Sequence, residues 1–171
     1  MQINEAADGI ADRPARLETQ LCFAVYGAAH AFTRAYKPLL EPLGLTYPQY
    51  LVMLVLWEED GQLPGQAEGP RGDQPAGQSV RAIGDRMGLD SGTLSPLLKR
   101  LEQAGLVTRD RDRQDERQVL ISLTARGREM RRDAAAVNRA IVSAVGCGAK
   151  EAEALRDGLL ALADRLADQP A

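Results

Sequence analysis

The stretch from Ser79 to Thr124 constrains this chain more than any other. Ser79 reads as a helix cap, and Val80, Ile83 and Met87 behind it make a short apolar stripe. Gly88-Leu89-Asp90 reads as a tight turn. Leu94, Leu97, Leu98 and Leu101 then recur at i, i+3, i+4 and i+7 until Gly105 stops the helix as a C′ residue. Two short helices joined by a Gly-containing turn make a helix-turn-helix. Directly after it come Leu106–Arg109 and Val119, Ile121 and Leu123, two short strands around a charged tip, which is the pattern of a β-hairpin. This order predicts a winged helix over residues 79–124 and a mainly α fold with a small β-hairpin, an α+β class.

The flanking segments read as helices. Leu17, Leu21, Val25, Ala28 and Phe32 recur every three or four residues from Arg16 to about Tyr36, where Pro38 is expected to end the helix. Thr46, with Gln49 three residues on, forms a capping box that opens a second helix over Tyr47–Glu58. That helix is apolar nearly all round and is expected to be buried. Residues 61–78 break the pattern, with 5 Gly, 3 Pro and 4 Gln in 18 positions, and read as a flexible insertion. From Thr124 a long helix carries Met130, Ala134, Val137, Ile141 and Val145. Gly146-Cys147-Gly148 interrupts it, and a last helix carries Leu155, Leu159, Leu162 and Leu166. The chain thus divides into a helical sensing and dimerisation region (16–60 and 125–168), the insertion (61–78) and the winged region (79–124), all in one domain. Apolar stripes at opposite chain ends are what a helical homodimer interface needs.

Composition removes several classes. With 44% apolar and 26% charged residues, the 171-residue chain is neither disordered nor a disulfide scaffold. Two Cys and one His are too few for a Cys/His zinc site, so no metal and no cofactor is expected. The acidic N-terminus, MQINEAADGIADRPARLE, has no apolar signal core. The longest uncharged run, Pro42–Trp57, is too short and too proline-broken to span a bilayer. A cytoplasmic protein without membrane contact is expected, in which a disulfide would be a switch.

Charge and aromatics point to two sites. Between Arg81 and Arg139 there are 13 Arg and Lys against 9 Asp and Glu, a local +4 on a chain whose net charge is -3. A basic middle on an acidic chain suits a local nucleic-acid site, although a solvated helix face gives the same count. The second short helix is the one expected in the major groove of double-stranded DNA. Ser91, Thr93 and Ser95 would approach base edges or phosphates, and Lys99 and Arg100 would hold phosphates further along. Pro96 is awkward there, being beyond the first helical position. The hairpin tip, Arg109 to Arg117, alternates in charge, and there Arg113 or Arg117 would enter the flanking minor groove, with Asp115 holding Arg117. The seven aromatics lie between Phe23 and Trp57, with Cys22 at their front edge and His30, the single His, among them. That cluster is either the core or an aromatic pocket around a thiol.

The segment SVRAIGDRMGLDSGTLSPLLKRLEQAGLVTRDRDRQDERQVLISLT resembles the MarR family of dimeric bacterial transcription regulators, including its Asp-x-Arg wing motif at Asp115–Arg117. The upstream segment LCFAVYGAAHAFTRAYKPLLEPLGLTYPQYLVMLVLWE resembles the organic-hydroperoxide-sensing repressors of that family, the OhrR group. The resemblance implies a reactive thiol at Cys22, hydrogen-bonding tyrosines at Tyr36 and Tyr47, and, in its two-cysteine branch, a resolving thiol at Cys147. It covers roughly Leu17 to Leu166, and the insertion at 61–78 departs from it.

A physical argument agrees with that resemblance. On a straight helix Tyr36 lies about 21 Å along the axis from Cys22. If the two form one site, Tyr36 comes from a second subunit. Phenol hydroxyls that donate to a sulfur favour its thiolate, the form that attacks peroxide. His30, about 12 Å along the same helix from Cys22, reads as structural. The expected protein is not an enzyme. It is a homodimeric repressor on a pseudopalindromic operator, released by organic hydroperoxide through Cys22 sulfenic acid and a disulfide to the partner's Cys147. A regulator released by a small aromatic ligand, a thiol peroxidase and a helical interaction module are the competing readings.

Overall fold

The computed structural model describes residues 16–61, 77–112 and 115–167. A 3-10 turn at Leu17–Thr19 precedes α1 (Leu21–Leu40). The first helix therefore starts five residues later than its apolar pattern suggested, and it does not stop at Pro38. Pro38 falls in the last turn and is exposed, so it forfeits a single N–H without breaking the helix. A second 3-10 turn, Glu41–Leu43, ends on Gly44 at φ 66°, and α2 (Tyr47–Glu59) leaves at 70° to the first helix. The capping box forms as expected, with the Gln49 side-chain oxygen accepting from the Thr46 N–H at 2.8 Å.

The chain returns at β1 (Gln78–Ser79), a short strand that the sequence did not announce. It pairs antiparallel with β3 (Val119–Leu123), Gln78 opposite Ile121 and Ser79 opposite Leu120. Gln78 therefore belongs to a sheet and not to the insertion. Positions 62–76 of that insertion lie outside the described residues. Gly77 enters at φ 155°, a conformation that L side chains rarely adopt, and a Cβ there would also crowd the Ile121 carbonyl oxygen at 3.1 Å, so glycine favours this close entry beside β3.

Next come α3 (Val80–Met87), capped by the Ser79 side chain, and α4 (Ser91–Gln103), capped by Asp90. Gly88 at φ 62° makes the turn between them, and Gly105 at φ 70° closes the second. β2 (Val107–Arg111) completes the sheet in the order β1-β3-β2, running from Val107 opposite Leu123 to Arg111 opposite Val119. α5 (Ala125–Val145) starts on a Thr124 cap and ends at Gly146. α6 (Ala149–Ala167) follows. The fold is a winged helix-turn-helix between N- and C-terminal helices, as the sequence predicted, with a third strand added.

The core gathers around α2. Tyr50, Val52, Met53, Leu56 and Trp57 are buried against Ile83, Leu94, Leu98, Leu101, Leu106 and Ile121 of the winged unit and Ala134 and Val137 of α5. The near-continuous apolar surface of α2 follows from this, since neighbours cover it on most sides. Inside the core the Trp57 indole N–H donates to the Gly127 carbonyl at 2.7 Å. Gly127 packs so closely that a Cβ there would meet the Leu106 carbonyl oxygen at 2.1 Å.

Gly127→Ala is therefore expected to cost about 3 kcal/mol through overpacking against backbone that cannot yield. A lowered urea midpoint with unchanged slope would register it.

Candidate DNA interface and thiol site

α4 presents its polar side outward because Leu94, Leu98 and Leu101 are fully buried on the other. Asp90 organises its first turn. Its carboxylate accepts from the Thr93 N–H at 2.9 Å and from the Thr93 hydroxyl at 2.8 Å, and these bonds favour the ionised form and hold the carboxyl pKa below the ordinary carboxylate range. Thr93 is exposed with its proton committed to that cap, so toward DNA it offers an acceptor and a methyl group. Ser91 is exposed. Ser95 is half-buried and donates to the Ser91 carbonyl at 2.7 Å, which turns its proton back onto its own helix. Pro96 is exposed one residue on and is tolerated because Gly92, whose carbonyl lacks that N–H, is exposed too. Lys99 and Arg100 are exposed on the outer face.

The wing is tighter than the sequence implied. Arg109 is half-buried within β2, 3.8 Å from Glu102, and belongs to the wing's root and not its tip. Asp115 holds Arg117 through the backbone: its carboxylate accepts from the Arg117 N–H at 3.1 Å and from the Gln118 amide at 3.2 Å. The Arg117 side chain is left exposed, as is Arg111 at the end of β2. On sequence alone Arg111 does not stand out, because it sits inside an alternating-charge run. Arg113 lies outside the described residues.

The second site is divided. The α1–α2 bend brings Tyr36 and Tyr47 together with ring centroids 4.6 Å apart, stacked at 27°, and places Tyr50 5.6 Å from Tyr36. Burial, with the neighbouring Tyr50 and Tyr47, pushes the Tyr36 phenol up to about 12. Burial also raises Tyr47 and Tyr50. All three remain O–H donors at neutral pH. Cys22 is exposed in the first turn of α1, about 21 Å along the axis from Tyr36, so one chain does not unite them. Cys147 is partly exposed at the α5–α6 break. His30 is exposed and packs on Tyr26, ring centroids 4.2 Å apart.

Around Cys22 the surface of α1 is apolar and uncovered, with Leu21 and Tyr26 each 62% exposed. Phe32, Ala28, Ala31 and Ala35 form an open groove of about 290 Å³ with Ile141, Ala144 and Val145 of α5. α6 buries no residue at all. Among the described residues no three His, Cys, Asp or Glu side chains gather as a metal site. Among them, too, no single helix is long and apolar enough to cross a membrane.

A recognition helix with a polar outer face, a cation-bearing wing and terminal helices with uncovered apolar stripes define a winged helix-turn-helix DNA-binding regulator. The family description "Transcriptional regulator SarA/Rot" matches residues 34–133. The chain is 50% identical to the HTH-type transcriptional regulator TtmR of Methylorubrum extorquens over 91% of its own length and 71% of that protein. It is 39% identical to the organic hydroperoxide resistance transcriptional regulator of Bacillus subtilis, over 88% of this chain and 92% of that one. Among solved structures, reduced AbfR bound to DNA superposes with a TM-score of 0.68 at 36% identity, over 90% of this chain and 96% of that chain. AbfR, from Staphylococcus epidermidis, has also been solved in an overoxidised and a disulfide-formed state. The chain belongs to the SarA/Rot-type MarR family of DNA-binding transcription regulators and groups with its OhrR type.

Two measurements check this geometry. Lys99→Ala is expected to weaken DNA binding evenly across sequences and to lower the slope of log affinity against log salt by about 1. Because the Tyr36 phenol is raised in the folded state, the folded chain holds its proton where the unfolded chain has lost it. Stability is therefore expected to be intact below about pH 10 and to fall as pH rises toward about 12. Tyr36→Phe should remove part of that fall in denaturation followed against pH.

Proposed function

We propose that the protein is a homodimeric repressor that senses organic hydroperoxide through Cys22 and releases its pseudopalindromic operator on oxidation. The observation that carries the reading is the divided site. The stacked Tyr36–Tyr47 pair and the exposed Cys22 lie far apart in one chain, at two ends of a helix whose apolar face is uncovered. A second copy packed on α1 sets the Tyr36 and Tyr47 of one subunit against the Cys22 of the other. The B. subtilis relative named for organic hydroperoxide resistance, and the DNA-bound and disulfide-formed states of AbfR, support the same reading.

In the proposed chemistry the Cys22 thiolate attacks the O–O bond of the hydroperoxide. Its sulfur takes one oxygen as sulfenic acid, and the other oxygen leaves, protonated, as the alcohol. The tyrosine O–H groups, held protonated by burial, donate toward the sulfur. The Cys147 thiol of the partner then displaces water from the sulfenic acid to form a disulfide. Cys147 stands between two glycines at the hinge of α5 and α6, so a bond there pulls on the dimer interface. The half-site spacing, about 34 Å centre to centre, is then lost to the two recognition helices. Ser91 and Thr93 serve as the contacts in the major groove, Lys99 and Arg100 as phosphate contacts, and Arg113 and Arg117 as the wing contacts. Ser95 takes part through its position on the helix, since its proton is already used.

The test is operator binding by the reduced protein, titrated with an organic hydroperoxide and then a thiol reductant. Wild type should release near one peroxide per subunit and rebind on reduction. Cys22→Ser should bind DNA and ignore peroxide, and its release by peroxide would overturn the assignment. Oxidised wild type should run as a covalent dimer on a non-reducing gel, and a monomer would remove the intersubunit bridge.

A further inference from the structure

Three consecutive carboxylates, Glu58, Glu59 and Asp60, close α2. That is the negative end of the helix dipole, where acidic side chains are disfavoured. Each has a cation from another element. The Arg86 guanidinium donates to Glu59 at 3.0 Å and, through its other terminal nitrogen, to Glu58. Arg128 donates to Asp60 at 3.1 Å, and the Asp60 side chain is only 12% exposed.

The positions of the two arginines matter more than the strength of the bonds. Arg86 is the penultimate residue of α3, and Gly88 turns the chain directly into the recognition helix. α3 and that turn are closely joined: the Leu89 N–H donates to the Gly84 carbonyl at 3.0 Å, and Gly84 packs so closely on the Leu89 carbonyl that a Cβ would meet it at 2.7 Å. Arg128 follows Gly127, whose carbonyl receives the Trp57 indole and whose backbone rests on Leu106 at the root of the wing. The other end of α2, about 20 Å away, carries Tyr47 and Tyr50. One buried rod therefore has the tyrosine cluster at its start and both arms of the winged unit tied to its end.

We propose that Arg86, clasped by Glu58 and Glu59, is a positioning residue that sets the recognition helix relative to the sensing half and carries movement of α2 to it. The guanidinium is neutralised twice by protein carboxylates, so it acts through α3 and not as a phosphate contact. The inference about transmission rests on the redox reading above, whereas the one about positioning does not.

The experiment measures operator affinity and peroxide-induced release for full-length wild type, Arg86→Gln, the Glu58→Gln/Glu59→Gln double variant, and a reversed variant with Arg86→Glu, Glu58→Arg and Glu59→Arg. Near-UV circular dichroism confirms native packing in each. Reduced Arg86→Gln should bind the operator about three- to tenfold more weakly, the scale of two exposed ion pairs, with the loss shrinking at high salt. The double variant should weaken binding similarly, and the reversed variant should recover most of it. If Arg86 instead touched phosphate, freeing it in the double variant would tighten binding, which overturns the proposal. So does unchanged affinity in Arg86→Gln, or a reversed variant as weak as Arg86→Gln.

For transmission, Arg86→Gln should oxidise at Cys22 as fast as wild type but show a smaller ratio of reduced to oxidised affinity, and an equal ratio overturns that part. A wild type that ignores peroxide fails the redox reading instead, and the reduced-state affinities then decide the positioning role alone.

Discussion

The indole of Trp57 joins the two halves of the molecule. Its N–H bond to the Gly127 carbonyl is buried, and a buried donor left without a partner costs far more than the bond itself contributes. This pins the end of α2 to the start of α5. Gly127 has no side chain there, so the Leu106 carbonyl also closes in, and the Thr124 N–H donates to that same oxygen at 3.0 Å. Helix, wing and C-terminal arm thus share one junction, and the rest of the winged unit is placed by reference to it.

From that junction the molecule sorts itself by what each surface lacks. The winged unit has its apolar side covered by α2 and exposes hydroxyls and cations. The terminal helices have the opposite character: α6 buries nothing, and α1 leaves Leu21 and Tyr26 uncovered. Solvent-facing apolar stripes of that extent call for a partner helix. In the redox reading proposed above, the same partner would complete the thiol site, because Tyr36 and Tyr47 meet at the α1–α2 bend and Cys22 lies at the far end of α1. On that proposal dimerisation and chemistry are one requirement.

Much of this was legible in the residues. The apolar spacing of α4, the Gly88 and Gly105 stops, the Thr46–Gln49 box and the Gly146 break all appeared where expected, because each depends on contacts within a few residues. The misses depend on contacts far away in sequence. Pro38 does not end α1, since one absent N–H in a last turn is a small loss against continued packing. β1 is a strand only because β3 lies beside it, and two residues carry no period to read. Arg109 looked like part of a charged tip, but strand pairing with Ile121 draws it to the wing's root.

The sequence by itself determined the elements and the chemistry they carry: a capped recognition helix, a charged hairpin, a thiol and a set of tyrosines. It could do so because caps, turns and helical periodicity are local. Tertiary structure alone decided which of them meet. The α1–α2 bend stacks Tyr36 on Tyr47 and leaves Cys22 apart. The close approach of Gly127 puts Trp57 in reach of a carbonyl 70 residues away. Three carboxylates at an unfavourable helix end acquire a purpose only when Arg86 and Arg128 arrive from other elements, and no local rule brings them there.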